Sequence, residues 1–405
     1  MKKNLTESTL LNGVSVLDLA DEKASFCTKL LAEMGARVIK VEKPGGDPAR
    51  RAGPYFRKTR QPAQSLSFCY NNTNKQSITL NLEHPKGREI FKRLVKRSDV
   101  VVETWRPDKS AKTGLGFDGL SQINSQIIVA SVTGFGQCGP KKNYKTCDLV
   151  ASALGGQMSV CGSPDSYPLK HYGLQSYLTA SLFAAVAILI ALRQRRVTGK
   201  GEHIDISLQE TVLSSIEHII LQYFYNGVVP GRQGRLHWNH LFYIFPCKDG
   251  FIQMTIAEQW ETLVEWMDSE GLAGDLTDEK WRDNEYRLNH LNHIIAVLTK
   301  WTKTHTQDEL FKLGQLMRFP WAPVQSPKDI LRCPQLEARG YFKDVRHANI
   351  PFPLKHPRLP FVSSGSKAAQ LKPAPLIGED NMAVYQNELN ISEDQLKIFS
   401  SEGII

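Results

Sequence analysis

The chain has 405 residues, 41% of them hydrophobic, and a net charge of +9; since a single hydrophobic core stops growing at roughly 250 to 300 residues, two domains are expected. The polar start Met1-Lys-Lys-Asn-Leu-Thr-Glu-Ser-Thr is no signal peptide, and the longest apolar run, Leu182 to Leu192, stops at Arg193-Gln-Arg-Arg196, short of the roughly 20 residues that cross a bilayer, so neither export nor a membrane partner is expected. Basic and acidic residues are interspersed, without the basic and aromatic interleaving of a nucleic-acid groove, which leaves a small polyanion as the partner, or simply a solvated basic surface.

In chain order, Val14 to Leu19 reads as a strand, Ala24 to Met34 as a helix and Val38 to Glu42 as a strand, the length of one βαβ unit. Ser77 to Leu82, Val100 to Glu103 and Ile127 to Val132 continue as strands, with helices at Pro85 to Lys96 and Phe117 to Ile123 between them, so an open, mostly parallel sheet is expected. Next come a long apolar helix, Leu174 to Arg195, a strand, His203 to Ser207, and a helix running to about Tyr225. The loop Asn226-Gly-Val-Val-Pro-Gly-Arg-Gln-Gly234 breaks the pattern and marks a domain boundary. Strands Leu241 to Pro246 and Gly250 to Ile256 and helices at Gln259 to Ser269, Tyr286 to Lys303 and Gln307 to Leu316 form a small α+β domain over 226–325. A Pro-rich tail from about 326, with a last helix near Ser392 to Phe399, is expected to pack along the first domain, 1–225.

The first strand-to-helix turn, Leu19-Ala-Asp-Glu-Lys-Ala-Ser25, has no glycine, which argues against a nicotinamide dinucleotide site. The second strand instead ends in Glu42-Lys-Pro-Gly-Gly-Asp47, where glycines open backbone amides and Lys43 puts a positive charge at the edge where open α/β sheets bind ligands, unless this is an ordinary Pro-Gly turn. Lys75, Arg106, Lys112 and Lys145 are further cations at strand ends or loops, and together they could cage phosphates. Seven scattered cysteines form no CxxC and no Cys/His cluster, so no metal site is expected, and unpaired thiols suit a reducing cytoplasm. No GxSxG or HExxH occurs, and His237 and His240 in the hinge loop read as structural or pocket residues.

An ordered set of segments then resembles the class III (CaiB/BaiF-like) CoA-transferases along nearly the whole chain. It comprises Leu11-Asn-Gly-Val-Ser-Val-Leu-Asp-Leu19, Met34-Gly-Ala-Arg-Val-Ile-Lys-Val-Glu-Lys-Pro-Gly-Gly-Asp-Pro-Ala-Arg50, Asn74-Lys-Gln-Ser-Ile-Thr-Leu80, Val102-Glu-Thr-Trp-Arg-Pro107, Val132-Thr-Gly-Phe-Gly-Gln137, Thr198-Gly-Lys-Gly201, Gln335-Leu-Glu-Ala-Arg-Gly340 and Pro375-Leu-Ile-Gly378. The resemblance implies a Rossmann-like large domain built from both chain ends, a smaller α+β domain, and two interlocked protomers. It implies no resident cofactor but a coenzyme A thioester as substrate, with Lys43, Lys75, Lys112 and Lys145 near the CoA phosphates.

In that family an aspartate attacks the acyl-CoA thioester, forms a mixed anhydride and then an aspartyl-CoA thioester, and CoA passes to a carboxylate. The motif places that aspartate nine residues after the proline before the long helix; counting from Pro168 lands on Tyr177. A phenol, with a pKa near ~10, would trap an acyl group as an ester. Asp148 and Asp165 are the nearby carboxylates, and neither keeps the helix motif in register. A racemase reading would need a His before Asp148 and the same missing Asp, where Cys147 and Tyr177 stand. The opening Asp21-Glu-Lys-Ala-Ser-Phe-Cys27 resembles a branch of two-subunit enzymes that act on aromatic succinates, such as benzylsuccinate CoA-transferase. The expectation is therefore a subunit without the nucleophile, assembled with a homologous Asp-bearing subunit; the alternative is a stand-alone protein that binds CoA thioesters.

Overall fold

The computed structural model describes residues 9–56, 65–216, 218–237, 239–256 and 259–405, which leaves Trp238 of the hinge-loop motif outside the described residues. Up to residue 207 the elements are β1 (Ser15–Leu19), α1 (Ser25–Glu33), β2 (Arg37–Glu42), α2 (Leu66–Asn71), β3 (Lys75–Thr79), α3 (Pro85–Val95), β4 (Val100–Glu103), α4 (Pro107–Thr113), α5 (Phe117–Ser121), β5 (Ile128–Thr133), α6 (Asp148–Leu154), α7 (Gln175–Thr198) and β6 (His203–Ser207). The six strands form one sheet in the order β3-β2-β1-β4-β5-β6, and every neighbouring pair is parallel. The connection reverses direction between β1 and β4, the topological switch point of a Rossmann-type sheet.

Successive strand residues point to opposite faces, and both faces of the central strands are covered, so β1, β4 and β5 are mainly apolar. Val16, Val38, Val100 and Ile128 pack under α1 and α7, against Leu31, Ala180, Ala184 and Ile188. Leu17, Ile39, Val101 and Val129 pack on the other face against Ile90, Phe91 and Leu94 of α3 and the distant Val384, Tyr385 and Leu396. That C-terminal return also closes the edge strand. Asp380 accepts from the Ser77 amide at 2.8 Å, Asn381 from the Thr79 amide at 2.9 Å, and the Tyr385 hydroxyl donates to the Thr79 carbonyl at 2.6 Å. An exposed edge strand would leave those groups free to pair with another chain.

The α7 helix is longer than the apolar run in its middle. Its 24 residues, with a mean hydropathy of 1.8 over the most apolar window, are long and apolar enough to cross a membrane by length and composition, but half of that window is buried within the protein. The buried side, Tyr177, Ala180, Ser181, Ala184, Ile188 and Ala191, repeats at helical spacing and uses small residues, which brings the helix close to the sheet.

By contacts the chain divides into two units, one taking the chain to Gln157, Lys170–Gly227 and Glu337–Ile405, the other Met158–Leu169 and Val228–Leu336. Besides the change of boundaries relative to 226–325, the segment 158–169 belongs with the smaller unit, where Arg232 donates to the Ser163 and Ser166 carbonyls. The smaller unit holds the antiparallel sheet β7 (Phe242–Pro246), β8 (Phe251–Thr255) and β9 (Ala322–Pro323), with a core around Trp266, Trp301 and Trp321. Glu270 accepts from the indole nitrogens of both Trp266 and Trp301, at 2.8 and 2.7 Å.

Several elements differ from the sequence pattern. Strand β3 runs from Lys75 to Thr79 instead of Ser77 to Leu82, because a lysine at its start is buried. The helix over 286–303 breaks at His290, giving Asn284–Asn289 and Leu291–Thr302, and the helix after β6 breaks into Leu208–Leu213 and Ile219–Asn226. The Pro-rich tail contains a hairpin, β10 (Phe342–Val345) paired with β11 (Leu354–Pro357).

Candidate functional site

At the C-terminal ends of β1 to β4 lies a cavity of about 350 Å³, within the size range of small-molecule sites. Its walls are Leu19 and Asp21 after β1, Val41, Glu42, Lys43, Asp47 and Pro48 at the end of β2, Leu80, Leu82 and Glu83 after β3, and Thr104, Trp105, Lys109 and Thr113 after β4. This is the edge, at the switch point, where open α/β sheets bind ligands.

Buried charges hold those loops in place. Asp18, on β1, accepts from the Ala20 amide at 3.0 Å, the Thr28 hydroxyl at 2.8 Å and Lys75 Nζ at 2.9 Å. Lys40, on β2, donates to the Ala20 carbonyl at 2.9 Å and pairs with Asp47 at 2.8 Å, joining the first turn to the second. Glu42 is clasped by Arg50 through two bonds of 2.6 Å and accepts from Ser77 Oγ at 2.6 Å. Arg50 also donates to the Pro375 carbonyl at 3.0 Å and lies 3.9 Å over the Phe68 ring, which ties the C-terminal segment to the same cluster. The turn Lys43–Asp47 needs its glycines, since Gly45 and Gly46 have φ of 89° and 88°, a region that side chains avoid. Against the desolvation of full burial, Lys75 and Lys40 hold the Asp18 carboxyl below its usual range. Burial pulls the Lys75 ammonium down even with Asp18 beside it.

Of the four lysines singled out by sequence, the cavity gathers only Lys43. Its ammonium pairs with Glu83 at 2.8 Å, with both side chains more than half exposed; such pairs are worth about 0 to 1 kcal/mol, so an arriving phosphate can displace the carboxylate. Lys75 stands apart from the expected cage: its side chain is fully buried, and its three donors are occupied by Asp18, the Ser25 carbonyl at 3.1 Å and Asn72 at 2.8 Å. It is a structural cation. Lys112, in the last turn of α4, and Lys145, in the loop before α6, are exposed and outside the cavity lining. The lining cation that sequence reading passed over is Lys109, with its ammonium 5.0 Å from the Trp105 ring centroid. Its signal was the aromatic four residues earlier, at the start of a short helix that the sequence pattern did not reveal.

Tyr177 sits in the first turn of α7, only 4% exposed. Burial, and then the negative charges of Glu22 and Asp21, push its phenol well above the ordinary tyrosine range, so the hydroxyl stays protonated. Asp148 is occupied: its carboxylate accepts from the Ser176 amide at 2.9 Å and pairs with Lys170 at 2.9 Å, capping the start of α7. Asp165 is exposed and belongs to the smaller unit. His237 Nδ1 donates to Asn239 Oδ1 at 2.8 Å, and the ring packs edge-on against Phe242, a local structural role.

Glu103 ends β4 and stands in the segment Val102 to Pro107, to which the sequence pattern assigns no role of its own. It is 2% exposed, and burial pushes its carboxyl up to about 7, against hydrogen bonds from Ser131 and the Trp105 amide. Ser131 Oγ is 2.9 Å from His203 Nε2, so a buried acid next to the cavity wall connects to a ring stacked on Phe117.

The sheet order and the cavity at its switch point define an α/β protein of Rossmann-type topology with a cleft of ligand size. The model of CoA-transferase family III matches residues 11–381, and the chain belongs to that family. It is 32% identical over 374 residues to the succinyl-CoA:(R)-benzylsuccinate CoA-transferase subunit BbsE of Thauera aromatica, covering 90% of each chain. It is 30% identical to the succinyl-CoA--L-malate CoA-transferase beta subunit of Chloroflexus aurantiacus, covering 99% of each. Among solved structures, a CAIB/BAIF family protein from Brucella suis superposes with a TM-score of 0.85 at 28% identity, over 94% of this chain and all of that one.

Two measurements check this anatomy. Lys75→Met leaves Asp18 charged and buried with one counter-ion fewer and is expected to cost about 3 kcal/mol in urea unfolding, with Asp18→Asn in the same chain recovering most of it. For Glu103, the folded-state value of about 7 lies above the ordinary 4.5. Its contribution is therefore fully present below about pH 4.5, is lost as pH rises towards 7, and totals roughly 3 kcal/mol. The difference in stability between the natural chain and Glu103→Gln should change across that window and be flat above it.

Proposed function

We propose that this chain is the subunit lacking the nucleophile in a heteromeric CoA-transferase that moves CoA from an acyl-CoA such as succinyl-CoA to a carboxylic acid, possible acceptors including an aromatic succinate. The observation that carries the reading is Tyr177. The family's exchange of an acyl group for CoA needs a carboxylate that forms two reactive adducts in turn, and at that motif position stands a buried, protonated phenol. An ester on a phenol would not pass CoA onward. The neighbouring Asp148 is engaged by Lys170 and the Ser176 amide.

Two relatives that are themselves subunits, the benzylsuccinate and malate enzymes, support a heteromer. So does the unburied face of α7, where Leu182, Val186 and Ile190 are 51%, 55% and 63% exposed, a stripe of the kind that marks an interaction surface. The homologous partner would carry the aspartate, and this chain would contribute its scaffold and its own cleft, with Lys43 and Lys109 facing the CoA phosphates. A cytoplasmic location goes with this reading, since all seven cysteines are unpaired. The second reading, a stand-alone CoA-thioester-binding protein, is favoured by the cleft itself.

The purified chain alone is expected to show no CoA exchange between succinyl-CoA and free acids, and native mass spectrometry after co-expression with an Asp-bearing homologue is expected to find mixed oligomers with activity. Homodimers only, beside a homologue fully active by itself, would favour the stand-alone binding protein. Turnover by the lone chain at rates of about 1 to 1000 per second would overturn the pseudoenzyme reading. It would turn attention to Glu22, an exposed carboxylate whose charge acts on the Tyr177 phenol. In calorimetry, Lys43→Ala with Lys109→Ala should weaken CoA binding about tenfold and flatten its salt dependence.

A further inference from the structure

A second cavity, of about 330 Å³, lies at the other end of the parallel sheet. Helix α1 runs back from the cleft, so its last residues, Glu33 and Met34, sit at the edge where β2 begins, and both line this cavity. The opposite wall comes from the C-terminal segment around β10 and β11. It brings four cations: Arg358, whose guanidinium is committed to the Leu359, Phe361 and Arg339 carbonyls, and Arg339, Lys343 and Lys367, all three exposed and none with a side-chain hydrogen bond or ion pair among the described residues. The contrast with Lys43 is direct, since that ammonium already has Glu83. Glu33 does not neutralise them, because its carboxylate is held by Lys29 at 2.6 Å and Thr73 at 2.8 Å.

Two further features shape the site. The hydroxyl of Ser366, which lines the cavity, is buried without a hydrogen-bond partner, and a buried polar group left so costs about 1 to 3 kcal/mol unless a ligand or water satisfies it. Phe361, 45% exposed, and the buried Leu359 supply an apolar wall beside the charges. Gly340 has φ of 56°, and Lys343 Nζ folds back to 3.5 Å from where a Cβ would stand.

We propose that this cavity is a second anion site, separate from the cleft, that takes an organic phosphate of the nucleotide class, with its phosphates on Arg339, Lys343 and Lys367, its ring against Phe361 and a hydrogen bond to Ser366. Three unpaired cations suit a multiply charged phosphate, and the aromatic wall suits a flat ring.

The test is calorimetry with ADP on the full chain in its assembled form, in a Lys43→Ala/Lys109→Ala background that weakens the cleft. ADP is expected to bind this background, and inorganic pyrophosphate is expected to bind the same site more weakly. Adding Arg339→Ala, Lys343→Ala and Lys367→Ala should weaken ADP at least about tenfold, and Ser366→Ala alone about fivefold. These side chains make no ion pairs, so an unchanged melting temperature is expected to accompany the loss. No ADP binding in the cleft variant, or equal binding with and without the three cations, would overturn the proposal.

Discussion

The large unit depends on charges kept out of water beneath the cleft. Asp18, Lys40, Lys75, Glu42 and Arg50 are all buried, and an ion taken from water is tolerable only where partners of good geometry replace its hydration. Here the replacement is nearly complete, with three donors on Asp18 and three acceptors around Lys75. Because Asp18 lies on β1, Lys40 and Glu42 on β2, and Lys75 and Ser77 on β3, the cluster also sets the register of three strands. A slip by one residue would turn every one of these groups to the opposite face.

The same cluster connects fold to site. Lys40 joins the Ala20 carbonyl to Asp47, so the first two strand-end turns, both walls of the cleft, are tied to each other. Arg50 extends the link to Pro375, and the C-terminal segment then caps β3 through Asp380 and Asn381. A cleft built this way is preorganised, and its rim carries Lys43, exposed in a weak pair with Glu83, and Lys109, half-buried beside Trp105.

Low dielectric acts differently on the groups around the cleft. It keeps the Tyr177 phenol protonated and raises Glu103 towards neutrality, while Asp18 and Glu42 stay charged because cations were buried with them. On the proposed reading, the difference between an active and an inactive subunit lies in one side chain at the first turn of α7, with the CoA-binding scaffold retained around it. The unpaired cations of the second cavity follow the opposite rule: they sit in solvent, where a lone charge costs little, and are available to an anion from solution.

By itself the sequence determined the family, through ordered segments from Leu11 to Gly378, and with it a parallel sheet, a smaller unit and the position of Tyr177. Periodicity was sufficient for these because a strand covered on both faces must be apolar, as Val100–Val102 and Ile128–Ala130 are. Only the tertiary structure decided what each charge does. Lys43 and Lys75 are alike in sequence, each at a strand end, yet one lies at an exposed rim and the other is enclosed by Asp18, Ser25 and Asn72, residues brought together from two other segments. Burial and pairing depend on contacts between distant parts of the chain, which no local pattern records. For that reason Lys109 and Glu103 became visible as parts of the site, and Lys75 as part of the core, only when the strands were assembled.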